Sequence, residues 1–121
     1  MDHLFVYGTL RPQHENAYLL ENIGGIWQEA SVDGTVHILD WGPDQGLFAV
    51  ILDGTPTGVE GYIFSSDKLQ NHWQMLDDFE GFQYQRVQTH AQLQTGETIE
   101  VWIYVMNPHA KTNTSFDATE H

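Results

Sequence analysis

Two β-favouring segments near the C-terminus, residues 84–93 and 98–105, are joined only through the turn Thr95-Gly96-Glu97. Such close spacing, with a glycine in the connection, is typical of a β-hairpin. Further β-favouring runs bounded by glycine, aspartate or proline occupy residues 4–7, 26–39, 47–52 and 59–64. Since hairpin spacing dominates, the pattern of about six strands and two helices predicts an α+β fold with a mostly antiparallel or mixed sheet.

The two helices are expected at either side of this strand-rich centre. Residues 14–21 fit a short helix that Gly24-Gly25 would end. A second helix follows Ser65 or Ser66, because either hydroxyl can cap its first turn and Asp67 suits its positive end.

One face of the second helix leads to a carboxylate. Leu69, Trp73 and Leu76 are spaced by four and three residues, and the next position on that face is Glu80, directly before the helix terminator Gly81. A carboxylate at the end of an apolar face is partly desolvated, which raises its proton affinity towards the range of a general acid/base. The alternative interpretation is a solvated glutamate in an acidic turn.

Length and composition indicate one compact domain at residues 1–106, followed by a polar, loose tail at 107–121. The chain has no cysteine, which excludes disulfides and thiolate chemistry. It shows no secretory signal and no apolar run near the about 20 residues of a membrane span. A cytoplasmic protein is therefore expected.

The charge is strongly negative, with 17 acidic residues against four basic ones and a net charge of −13. Nucleic acid and membrane are therefore not expected as partners, because both attract basic patches. The seven histidines lack paired short spacings, so neither a metal site nor a cofactor is expected. The sequence leaves the oligomeric state open.

A second motif lies at the N-terminus, where a short apolar strand runs into Tyr7-Gly8-Thr9-Leu10. Together with the segment 76–81 around Glu80 and the Tyr84-Gln85-Arg86 that follows, this motif resembles the gamma-glutamylcyclotransferase-like family. The most similar branch is that of the gamma-glutamylamine cyclotransferases and their small bacterial relatives. The resemblance covers about residues 4–106 and implies a small β-barrel flanked by helices, with a pocket at one side.

The reaction that this resemblance implies is an intramolecular acyl transfer. The α-amine of a γ-glutamyl group attacks its own γ-carbonyl, the ring closes to 5-oxoproline, and the amine on the other side leaves. Because nucleophile and electrophile belong to one small molecule, the protein has to fold the substrate and move protons. Glu80 matches the family's catalytic glutamate, and Tyr7-Gly8-Thr9-Leu10 matches its substrate-binding loop.

In that loop, Gly8 would let the backbone approach a ligand and adopt unusual dihedral angles, and the strand-end N–H groups would bind a carboxylate or oxyanion. The alternative interpretation of this segment is a plain β-turn. Tyr104, on the last strand, matches a tyrosine near the family's pocket, although a core aromatic residue is the alternative.

Three further residues are interpreted as supporting the site. Tyr84 and Arg86 match a Tyr-x-Arg motif and would support the turn that carries Glu80, while Arg11 follows the N-terminal motif. An internal ion pair, for Arg86 with Asp77 or Asp78, is the alternative for both arginines.

The function predicted from the resemblance is cyclisation of a γ-glutamyl amine, or of a metabolite capped with a γ-glutamyl group. The loop at residues 40–46 departs from many relatives, so the leaving amine stays undefined. A second hypothesis keeps the fold as a non-catalytic module that binds a small carboxylate or a partner protein.

Overall fold

A computed structural model describes residues 1–43, 45–56 and 58–108. Its elements along the chain are β1 (Asp2–Val6), α1 (Tyr18–Ile23), β2 (Ile26–Val32), β3 (Thr35–Ile38), β4 (Phe48–Ile51), β5 (Val59–Ser66), a 3₁₀ turn (Leu69–Asn71), α2 (Trp73–Glu80), β6 (Tyr84–Leu93) and β7 (Thr98–Met106). The predicted tail lies mostly outside the described residues, which end at Pro108. Its looseness and the domain boundary at residue 106 stay predictions.

Five strands close into a mixed barrel in the order β1-β5-β2-β6-β7. Closure comes from a parallel pairing of β1 with β7, in which Leu4 lies opposite Trp102 and Phe5 opposite Ile103. Strand β4 joins β7 at Val50 and Val105, and β3 pairs with β4 at the sheet edge. The predicted α+β barrel flanked by helices is confirmed, and so is the β6–β7 hairpin.

Successive residues of the barrel strands point to opposite faces, as the twofold period of a strand requires. Phe5 and Ile63 pack inside the barrel, whereas their neighbours Leu4 and Phe64 pack outside it beneath the helices. Gly61 lies on the inner face, where an added Cβ would meet the carbonyl of Val6 and the ring of Phe5. The strands therefore contribute side chains to two hydrophobic cores, one inside the barrel and one beneath the helices.

The first helix differs from its prediction, since it begins at Tyr18 rather than at residue 14. The backbone N–H of Asn16 donates to the carbonyl of Thr9 over 3.0 Å, so the chain up to Asn16 belongs to the loop after β1. Gln13 also has a φ of 69°, which an α-helix does not accommodate.

The second predicted helix is divided in two. Strand β5 extends through Ser66, whose hydroxyl accepts the N–H of Lys68 over 3.1 Å. Lys68 itself precedes the 3₁₀ turn, and no side chain caps α2, so the predicted serine cap is wrong. His72, with φ −123° and ψ 3°, interrupts the helical path before Trp73.

Candidate active site

A cleft of about 370 Å³ opens beside the barrel, between the loop after β1, the end of α2 and the starts of β4 and β6. All of the residues predicted for the site line this cleft except Arg86, namely Tyr7, Gly8, Thr9, Leu10, Arg11, Glu80, Tyr84 and Tyr104. The two sequence motifs, about seventy residues apart, therefore meet at one place in the fold.

Glu80 is the last residue of α2 and lies half-buried in the cleft wall. The helix ends there because Gly81 takes a φ of 82°, and the N–H of Gly81 closes the last turn by donating to the Asp77 carbonyl over 3.1 Å. Burial is the main cause that raises the pKa of the Tyr7 and Tyr104 hydroxyls, and the negative charge of Glu80 adds to it. Glu80 lines the cleft together with these two tyrosines.

Behind Glu80, three polar side chains join α2 to the barrel, and we call them the Asp77 cluster: Asp77, Arg86 and Tyr104. Arg86 binds both carboxylate oxygens of Asp77, from Nε over 2.8 Å and from Nη2 over 3.2 Å. The Tyr104 hydroxyl donates to Oδ1 of the same carboxylate over 2.6 Å. The alternative of an internal ion pair between Arg86 and Asp77 is thus confirmed.

These contacts displace the pKa of all three members of the cluster, and the hydrogen bond to Asp77 raises that of Arg86. Hydrogen bonds from Arg86, and to a smaller extent from Tyr104, hold the pKa of Asp77 below its ordinary value against the opposing effect of desolvation. Burial, followed by the bond to the Asp77 carboxylate, raises the pKa of Tyr104 far above that of a free tyrosine. At neutral pH the cluster therefore holds one carboxylate, one guanidinium and one neutral hydroxyl.

Two neighbouring tryptophan rings, whose centroids lie 5.9 Å apart, contact the guanidinium of Arg86. Its Cζ lies 4.4 Å from the ring centroid of Trp73 and 4.6 Å from that of Trp102, within the range of cation–π contacts. The indole N–H of Trp73 also donates to the carboxylate of Asp2 on β1 over 3.1 Å. Arg86 does not line the cleft, so it can act only through the position of its neighbours.

The hydroxyls of the other two cleft tyrosines bind backbone. Tyr7 donates to the carbonyl of Tyr104 over 2.6 Å and accepts the N–H of Val50 over 3.0 Å, which ties β1 to β7 and β4. Burial is the main cause that raises the pKa of Tyr7 above its ordinary value. Tyr84 donates to the carbonyl of Phe48 over 2.8 Å and holds the start of β4 against β6.

The loop after β1 is held by its own hydrogen bonds. Arg11 donates to the carbonyl of Gly8 from both its backbone N–H and its Nε, over 3.1 and 2.9 Å, and forms no ion pair within the described part of the chain. Gly8 does not take a positive φ, contrary to the expectation, but an added Cβ would meet no atom within 4 Å. Gly8 therefore faces open space, as an approach to a ligand requires.

The sequence reasoning missed three contributions to this site. Asn16 donates its side-chain N–H to the Thr9 hydroxyl over 2.8 Å, and only its distance from Thr9 in sequence could have suggested this bond. The sequence predicts Asp77 as a possible ion-pair partner of Arg86 but does not predict that it also accepts a hydrogen bond from Tyr104. Phe48 and Phe79 line the cleft with apolar surface, which no motif indicated.

A larger, more open depression of about 640 Å³ is lined by residues of β2 and β5, by the end of β6 and by the turn after it. Its charged lining consists of Glu29, Glu60 and Arg11, and Arg11 is shared with the cleft. It contains none of the other residues of the two motifs, so the smaller cleft is the better candidate for chemistry.

Within the described ranges, no three histidine or carboxylate side chains are grouped as a metal site would need. Over the same residues, each helix is too short and too polar to cross a bilayer.

Comparison of the whole chain with known proteins identifies its family. The sequence model of the family described as gamma-glutamyl cyclotransferase, AIG2-like, matches residues 4–120. A comparison with curated proteins finds no match.

Among solved structures, YkqA of Bacillus subtilis is 28% identical and covers 88% of this chain with a TM-score of 0.65. The chain spans only 36% of the length of YkqA. An AIG2-like protein of Mus musculus is 23% identical over 91% of this chain and 80% of its own, with a TM-score of 0.68. A protein described as a gamma-glutamyl cyclotransferase is 18% identical over 88% of this chain and 66% of its own, with a TM-score of 0.65, so these last two share the fold. The chain belongs to the AIG2-like gamma-glutamyl cyclotransferase family.

Proposed function

We propose that this protein cyclises a γ-glutamyl amine, or a metabolite capped with a γ-glutamyl group, to 5-oxoproline and releases the amine. The observation that carries this proposal is the meeting of Glu80 with the loop Tyr7-Gly8-Thr9-Leu10 in one cleft of a family member. The reaction needs no cysteine or serine nucleophile from the protein, because the substrate supplies its own nucleophile.

In the proposed reaction the α-nitrogen of the glutamyl group forms a bond to the γ-carbon, and the amide bond between that carbon and the leaving nitrogen breaks. Two protons pass from the attacking nitrogen to the departing one. Glu80 accepts each proton from the first nitrogen and donates it to the second, which is the work of a single general acid/base. The step balances without water, redox change or cofactor.

The rest of the cleft would hold the folded substrate. Backbone N–H groups of the loop after β1 offer donors to the substrate carboxylate or to the developing oxyanion, and Arg11 adds a positive charge beside them. The Asp77 cluster keeps the end of α2 against β7, so it would position Glu80 through Asp77, three residues earlier in the helix. Tyr104 contributes both to that cluster and to the cleft wall.

We further propose a free small molecule as the substrate and the cytoplasm as the site of action. Nucleic acid and membrane are unsuited to a chain with a net charge of −13.

The test is release of 5-oxoproline and free amine from a panel of γ-glutamyl dipeptides, γ-glutamyl-ε-lysine and simple γ-glutamyl amides. The matched control substrates are the α-glutamyl isomers, in which the γ-carbon carries no amine, so ring closure there cannot release one. Equal amounts of both products from the γ-linked compounds alone would support the proposal. Binding of 5-oxoproline or L-glutamate by thermal shift, with no turnover of the panel, would favour the non-catalytic binding module.

A further inference from the structure

One edge of the cleft is apolar and open to solvent, and we call it the apolar lip: Leu47, Phe48 and Phe79. Their exposed fractions are 43%, 52% and 41%, although large apolar side chains usually bury most of their surface. All three line the cleft. A ligand in the cleft would therefore remove apolar surface from water at this edge.

The apolar lip lies beside the proposed chemistry. Phe79 directly precedes Glu80 in α2. The carbonyl of Phe48 accepts the hydroxyl of Tyr84, a cleft residue four positions after Glu80, over 2.8 Å. The nitrogen that receives a proton from Glu80 must reach this carboxylate, so the group attached to that nitrogen comes close to the lip.

Charge in the cleft argues against a leaving group that carries a carboxylate. Apart from the tyrosines, the ionisable side chains that line the cleft are Arg11, His14, Glu15 and Glu80. Arg11 is the only one of these with a permanent positive charge, and the carboxylate of the glutamyl half already requires it. A second carboxylate would meet Glu15, Glu80 and the apolar lip, where a charge loses hydration without a partner.

From these two features we infer that the leaving group is an apolar amine, of the alkylamine or arylalkylamine class, rather than an amino acid or a peptide. This inference rests on the proposed function and names the substrate class of the same cleft. The glutamyl half lies against the loop after β1, and the apolar half of the substrate covers Leu47, Phe48 and Phe79.

The experiment compares γ-glutamyl-2-phenylethylamide with γ-glutamylglycine. Dissociation constants are measured by calorimetry on Glu80→Gln, in which turnover cannot interfere, and kcat/KM is measured on the wild-type protein. We expect at least about tenfold tighter binding of the phenylethylamide, since contacts of one or two carbon groups in an apolar site are worth about that factor. Phe79→Ala and Phe48→Ala should each remove most of this preference.

Phe82→Ala is the matched control, because Phe82 is an exposed phenylalanine near the same helix that packs on Trp41 outside the cleft. This variant should keep the full preference. Equal affinity for the two compounds, or equal effects of Phe79→Ala and Phe82→Ala, would overturn the inference. A change of sedimentation in the lip variants with unchanged selectivity would also overturn it, since the lip would then bind a second copy.

The two proposals fail in different ways. If wild-type protein releases 5-oxoproline from both compounds without preference, cyclisation stands and the apolar leaving group is wrong. If no compound is turned over but the phenylethylamide binds more tightly through Phe79 and Phe48, the cleft prefers apolar amides and the catalytic proposal is wrong.

Discussion

Behind the wall of the cleft formed by α2 and β7, polar side chains bind one another, whereas on the apolar lip the side chains face water. Asp77 accepts bonds from both Arg86 and Tyr104, and two tryptophan rings contact the guanidinium. At the lip the backbone is held, since the carbonyl of Phe48 accepts the hydroxyl of Tyr84 and that of Leu47 accepts the N–H of Leu39, but the side chains are exposed. The difference agrees with the two proposals, in which the first wall positions Glu80 and the lip contacts the substrate.

The largest expected contrast is between two apolar residues of α2. Leu76 is fully buried under the helix, whereas Phe79 belongs to the lip. We expect Leu76→Ala to lower the free energy of unfolding by about 3 kcal/mol, through lost burial and a residual cavity. Phe79→Ala should cost less than about 1 kcal/mol because its ring is already exposed. Urea denaturation measures both, and similar losses would contradict the distinction between the two regions.

A second contrast uses neighbouring aspartates of α2. Asp77→Asn removes the charge that Arg86 binds, so we expect a loss of about 1 to 2 kcal/mol, limited by the partial exposure of the pair. Asp78 accepts an exposed hydrogen bond from Gln74, so Asp78→Asn should change the free energy of unfolding by less than about 0.5 kcal/mol. Thermal denaturation of the two variants provides the comparison. Equal losses of unfolding free energy at both positions would mean that the bonds of the Asp77 cluster do not stabilise the fold.

Alkaline pH should lower the stability that the hydroxyls of Tyr7 and Tyr104 contribute, whereas the apolar lip has no group that titrates. The pKa values of Tyr7 and Tyr104 are raised in the folded protein, so both hydroxyls stay protonated there while the unfolded chain begins to lose these protons near pH 10. Stability is therefore complete below about pH 10 and falls above it, by up to about 1.4 kcal/mol per pH unit for each hydroxyl. Denaturation midpoints between pH 8 and 11.5 should decline more gently in Tyr104→Phe, and an unchanged slope would refute this linkage.

Much of this architecture could be predicted because its signals are local. The β6–β7 hairpin follows from a short turn between two alternating segments, and the burial of Leu76 follows from helical spacing. The closure of the barrel could not be predicted from local signals. Strand β1 pairs with β7 almost a hundred residues later in the chain, where Leu4 lies opposite Trp102. Local propensity does not state which distant strand supplies a partner.

The site shows the same division between local and distant information. The two motifs predicted that Glu80 and the loop after β1 would be used together, and the fold brings both into one cleft. Neither motif predicted that Asp77 would bond to Tyr104 or that Phe48 would stand at the cleft edge. These contacts depend on how β4 and β7 pack beside α2, which residue spacing alone does not specify.

The smallest expected effect on stability is at Gly8. A methyl group there meets no atom within 4 Å and the backbone φ is not positive, so Gly8→Ala should change the free energy of unfolding by less than about 0.5 kcal/mol. The same methyl group stands in the cleft wall and should raise the KM for γ-glutamyl substrates. Steady-state kinetics with an unchanged KM would place the substrate away from this loop.

The rate of 5-oxoproline release by Glu80→Gln measures whether the carboxylate of Glu80 is the general acid/base. Asp78→Asn, two positions earlier in the same helix and outside the cleft, is the matched control. We predict a loss of about 10²- to 10⁴-fold in kcat for Glu80→Gln, because a positioned general acid/base contributes about that much, and a rate near wild type for the control. Full 5-oxoproline release by a folded Glu80→Gln protein would show that Glu80 is not the general acid/base.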